Sequence, residues 1–247
     1  MTNSKRVKEQ IRTFYDQRPN IQHKDQVQFV IATDVFAKRL ELAQTERDKT
    51  VTIEQKDFLQ IVNGNVVWGK TNNDPITAIF SSRLFQLDNF TWRGTVHHEY
   101  THAHDFWDLA DYLMITKMDD IYDYRFYNLF EWWSEYHARN AGAKNVYQHE
   151  YARNSISETI SVCNNSFSLI CNGLVQATSV YEVMQLFGRY SALKEMYGDM
   201  MPPLQSANKK YGLANSIIAV GDFLHSHQEF NLICDSLDEL EVLMNAV

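Results

Sequence analysis

From residue 90 to the C-terminus the apolar residues keep a helical spacing, and this constrains the fold more than any other feature of the chain. Val183, Phe187, Tyr190 and Tyr197 show the stripe in one segment. The spacing predicts helices over 90–114, 122–143, 147–171, 175–197, 206–225 and 237–245, with breaks at Asn172-Gly173, Gly198 and Pro202-Pro203. With only 9 Gly and 4 Pro in 247 residues, the chain lacks the turn residues of an all-β barrel or sandwich.

The N-terminal third reads differently. Ser4 to Asp16 is a short polar helix with Val7, Ile11 and Phe14 on one stripe. Val27 to Ala32 suits a strand or a helix start, and Asp34 is placed to cap a helix running through Leu42. Val51-Thr52-Ile53 and Phe58 to Val62 are rich in β-formers. Asn63-Gly64, before Asn65-Val66-Val67-Trp68-Gly69, has the form of a hairpin turn. Ile76 to Phe80 is a further short strand. The order predicts an α+β fold: a small antiparallel sheet packed on a helix, then a mostly helical C-terminal half. A first domain is expected over 1–145, and a helical extension packed on it over 146–247.

The net charge of −8 counts against binding nucleic acid through its phosphates or lying on an anionic membrane. Neither nucleic acid nor membrane is an expected partner. No apolar run approaches the ~18 residues of a transmembrane helix, and the first eight residues have no apolar signal core. Cys163, Cys171 and Cys234 make no C-x-x-C pair and are expected to be buried free thiols. A cytoplasmic location is expected. No Gly-rich phosphate loop follows a strand, so nucleotide binding has no motif behind it.

The chemistry lies in His98-Glu99-Tyr100-Thr101-His102. Two histidines at i and i+4 lie one helical turn apart on one face, so both imidazoles can reach one metal ion. Glu99 sits beside that face, where it can reach a water on the metal without being a ligand. Leu109, Leu113 and Asp105 share the metal face. Asp105 can steady a ligand imidazole through its far nitrogen, or be a charge at the rim of the core. His97, His104, Asp108 and Asp111 gather on the other side and read as a solvated polar face.

A catalytic zinc takes three protein ligands and leaves a fourth position for water. The next helix offers Glu131-Trp132-Trp133-Ser134-Glu135-Tyr136-His137-Ala138. Glu131 and Glu135 share a face with Ala138 and Gly142, whose small side chains allow close helix approach. His137 lies opposite, with Phe126, Phe130 and Trp133. Glu135 is the expected third ligand, with Glu131 and His137 as alternatives.

The run Arg93-Gly94-Thr95-Val96-His97-His98-Glu99-Tyr100-Thr101-His102 resembles the entry to the active helix of gluzincin-type metallopeptidases. It loosely resembles the prokaryotic and phage ImmA/IrrE-like group. There a Thr stands three residues before the first ligand, as Thr95 does. A later helix carries a ligand Glu followed three residues on by Ala, as Glu135 and Ala138 do. Thr101 stands where that group usually has Gly.

The resemblance implies a zinc metallopeptidase acting on a peptide or protein substrate. Zn2+ on His98, His102 and Glu135 would bring the pKa of its water toward neutrality. Glu99 would act as general base and then protonate the leaving amine. Ile76 to Phe80 would offer an edge for the substrate backbone. Two rival functions stand beside this one: a metal-binding but non-catalytic protein-interaction module, and a zinc hydrolase acting on bonds other than peptides. Asp119, Asp120 and Asp123 lack Ca2+-loop spacing, and His225 and His227 diverge on a helix.

Overall fold

The computed structural model describes residues 2–87 and 90–246. The chain divides into two compact units, Met1–Tyr127 and Asn128–Val247. The fold is α+β.

The first unit opens with α1 (Asn3–Asp16), capped by the Thr2 hydroxyl and burying Val7, Gln10 and Phe14. Strand β1 (Val27–Ala32) follows. Helix α2 (Val35–Leu42) starts where the sequence places it, with the Asp34 carboxylate accepting from Ala37 N at 2.9 Å. The next segment departs from expectation. Val51-Thr52-Ile53 lies in α3 (Glu46–Glu54), and Phe58 to Ile61 lies in α4 (Lys56–Ile61). Local chemistry explains the first. Thr45 caps the backbone N–H of Asp48, and Glu46 and Asp48 put negative charge at the positive end of the helix. Thr52 is fully buried and accepts from Arg39 at 3.0 Å, so a tertiary contact overrides its β-propensity.

Asn63-Gly64 is therefore not a hairpin turn. Gly64 opens β2 (Gly64–Val67), which pairs antiparallel with β3 (Ile76–Ser81). β1 pairs parallel with the other side of β3, from Val27 opposite Ile76 to Ala32 opposite Ser81. The sheet is thus mixed, not antiparallel, with order β1-β3-β2. β3, expected to offer an edge, is the central strand. Its position explains why nearly every residue in it is buried.

Side-chain alternation sends neighbouring residues of β3 to opposite faces. Ile79 packs with Ala32, Val35, Leu59 and Val67. Ala78 and Phe80 pack with Val7, Phe14, Trp92, Val96 and Tyr100. The second cluster belongs to α1 and to α5 (Thr91–Tyr112), the helix that carries the histidines. By register Gly64 faces as Phe80 does, toward α5, and Asn65 faces as Ile79 does, toward α2.

The second unit is helical: α6 (Tyr127–Glu150), α7 (Ile156–Gln176), α8 (Val180–Tyr197), α9 (Gln205–Tyr211), α10 (Asn215–Ser226), α11 (Phe230–Cys234) and α12 (Leu237–Asn245). Ser155 and Glu158 form a capping box on α7, and Ser179 caps α8. Asn172-Gly173 does not break the chain. Gly173 lies inside α7, and a Cβ there would stand 3.0 Å from Leu186 of α8, so the glycine serves helix packing. Gly198, at φ 54°, ends α8, and Gly212, at φ 73°, divides the expected 206–225 helix into α9 and α10. All three cysteines are buried and free. Among the described residues no helix is long and apolar enough to cross a membrane.

Candidate metal centre

Helix α5 is buried along most of its length, with the sheet on one side and α1 on another. That burial fixes the direction of its side chains. His98 and His102 project from successive turns, and their Nε2 atoms lie 3.1 Å apart with the ring planes at 88°. Two imidazoles on one tetrahedral zinc, each at about 2.0–2.1 Å, hold their nitrogens about 3.3 Å apart. His98, His102 and Glu135 form a group whose ligand atoms all lie within 4.8 Å of one another. Two histidines and a carboxylate are the donor set of open catalytic zinc sites, so the residues present fit that metal. Glu131 and His137 lie outside the group. His137 stacks on Trp133 at 5.0 Å, on the apolar stripe of α6.

Glu99 is buried, 6% exposed. Its side chain lies against Gly64 of β2, where a Cβ would stand 2.6 Å from Cγ and 2.7 Å from Cδ. Sequence reasoning missed this pairing because Asn63-Gly64 carries a turn signal. The available clue was an isolated Gly in a β-pattern, which often marks close approach of another group. Thr95 and Thr101 donate their hydroxyls back to the helix, to Thr91 O at 3.1 Å and His97 O at 2.8 Å.

The supposed polar face of α5 is not solvated. His97 and His104 are buried, the first edge-on to Phe14 of α1 at 5.5 Å and the second stacked on it at 5.8 Å. Burial pushes the His104 imidazole down to about 4, so it is neutral near pH 7. The helix period could not show this, because α1 supplies the cover. Only the C-terminal end of that face reaches solvent. Asp111 is exposed there and meets His23 at 2.8 Å. Asp105 is buried, and it acts electrostatically on Arg18 and His104.

The other polar clusters have structural partners. Asp119 accepts from the Thr45 hydroxyl at 2.8 Å, and Asp123 pairs with Arg47 at 2.9 Å. His225 Nδ1 meets the Ser191 hydroxyl at 3.1 Å, and His227 stacks on Phe223 at 4.0 Å. Among the described residues no second group of His, Cys, Asp or Glu gathers as the first does.

Comparison with protein-family models, with curated proteins and with solved structures finds no match.

Proposed function

We propose that the chain is a zinc-dependent metallopeptidase of gluzincin type. The observation that carries this reading is the convergence of His98 and His102 Nε2 at 3.1 Å, in one group with Glu135, on a helix that also bears Glu99. In this reading His98, His102 and Glu135 hold the metal. Zinc held there supplies Lewis acidity, which acidifies water and polarises a carbonyl. Glu99 receives a proton on its carboxylate and passes it to the leaving amine. A purely structural metal site needs no such carboxylate beside the ligands, which favours an enzyme over a binding module.

The substrate strand is reassigned. β3 is interior, so backbone pairing with an extended peptide falls to β2, the sheet-edge strand packed on α5. The buried free thiols suit a reducing compartment, in keeping with a cytoplasmic enzyme.

Glu99→Gln tests the reading. It preserves shape and hydrogen-bonding reach but removes the base, so zinc content and melting temperature stay near wild type. Cleavage falls by about 10² or more. Cleavage products of a whole proteome, compared by mass spectrometry for the two proteins, give the readout. Equal cleavage by both, or cleavage by neither, rejects the peptidase assignment.

A further inference from the structure

Gly64 has an ordinary φ, so glycine serves space here and not backbone freedom. The space its missing side chain leaves is filled by Glu99. Ordinary carbon contacts are about 3.5–4.0 Å, so any other residue at 64 demands a displacement of about 1 Å. Either the strand or the carboxylate must yield.

The strand is held on two sides. Gly64 pairs with Phe80 of the central strand. On the face away from α5, Arg39 Nη1 of α2 donates to Asn65 Oδ1 at 2.5 Å and to the Val66 carbonyl. Arg39 is itself buried, and it is fixed by Asp48 at 2.8 Å and Thr52 at 3.0 Å. The three atoms nearest a Cβ at 64 all belong to the Glu99 side chain, so relief of the overlap falls on that side chain.

We propose that Gly64 is a positioning residue for Glu99: its bare Cα is the wall against which the carboxylate rests, and Arg39 holds that wall in place. The consequence for turnover rests on the reading of Glu99 as general base. The contact itself does not.

The test is a melting-temperature cycle on Gly64→Ala, Glu99→Ala and the double variant, with zinc content, kcat and KM of Gly64→Ala beside wild type. Gly64→Ala keeps its zinc. Its kcat falls about 10²-fold, the scale of a 1 Å misplacement, while KM stays within about threefold. It melts about 5 °C lower. In the Glu99→Ala background the same substitution costs under about 1 °C, because the obstructing atoms are gone. If Gly64→Ala does not fold and the double variant does, the contact is equally supported. Equal losses in both backgrounds, two unfolded variants, or wild-type kcat in Gly64→Ala would overturn the proposal. Should wild type cleave nothing, the peptidase reading fails, and the melting cycle alone decides whether Gly64 sets where Glu99 lies.

Discussion

The hydroxyl of Tyr15 on α1 stands 3.2 Å from Nε2 of His104 on α5. A hydrogen bond with the Gln22 backbone also acts on this imidazole, so His104 has polar partners both on α1 and in the segment after it. α1 is thereby tied by a polar contact, as well as by Phe14, to the helix that carries His98 and His102.

Tyr15→Phe is predicted to destabilise the protein by about 1–3 kcal/mol, because it leaves a ring nitrogen of the buried His104 without its hydrogen-bond partner. Calorimetry should show a melting temperature lowered by about 2–4 °C per kcal/mol. Zinc content should not change. A melting temperature equal to wild type would mean that the hydroxyl contributes nothing at this position.

Protein purified without added metal is expected to carry about one zinc per chain. Glu135→Ala should lose zinc affinity far more than Glu131→Ala or His137→Ala, because among the described residues it is Glu135 that groups with the two histidines. Zinc returned to chelator-stripped protein should raise its melting temperature, since a ligand that binds only the folded state stabilises it. Elemental analysis of the three variants checks the assignment, and metal loss in His137→Ala alone would contradict it.

Arg39 and Asp48 form a buried ion pair at 2.8 Å. Arg39→Met should cost about 3–5 kcal/mol, because it strands the Asp48 carboxylate in the core. Its effect should reach β2, which loses two hydrogen bonds from the guanidinium. Adding Asp48→Leu should recover much of the loss by removing the stranded charge. Denaturant melts of the single and double variants measure both effects, and a double variant no more stable than the single would refute the account.

His225 meets Ser191, and burial holds its imidazole below the usual histidine range. Glu195 and Asp222 pull it upward, and Lys194 and Lys144 push it down. The folded pKa lies below the unfolded one, so the unfolded chain takes up the proton first as pH falls. Stability present above about pH 6.5, the unperturbed histidine value, is therefore lost below it. His225→Asn keeps a polar atom near Nδ1 and does not titrate. Melting temperatures at pH 7 and pH 5 should fall less for this variant than for wild type. An unchanged difference would show that another group governs the acid limb.

Local chemistry alone determines several parts of this protein. Asp34 caps α2, Ser155 and Ser179 cap α7 and α8, and Gly198 ends α8, because each acts on backbone groups within a few residues. The i, i+4 histidines on α5 follow from helix geometry in the same way. Relations across the chain required the tertiary structure. The β-formers Val51–Ile53 lie in a helix because, beyond the local Thr45 cap, Arg39 of α2 meets the buried Thr52. β3 went to the centre of a mixed sheet because β1 pairs with it in parallel, a choice its own composition does not encode. His97 and His104 were buried by α1, whose contact surface no period within α5 reveals. The small residues on its helix face already favour Glu135 over Glu131 and His137, and its carboxylate gathers with His98 and His102 in a group that could hold a metal ion. Gly64 reads as a turn residue until the register of β2 aims it at Glu99. Caps, breaks and helix faces are decided by neighbours a few residues apart. Strand order, burial of polar faces and the gathering of Glu135 with the two histidines depend on contacts between residues far apart in sequence.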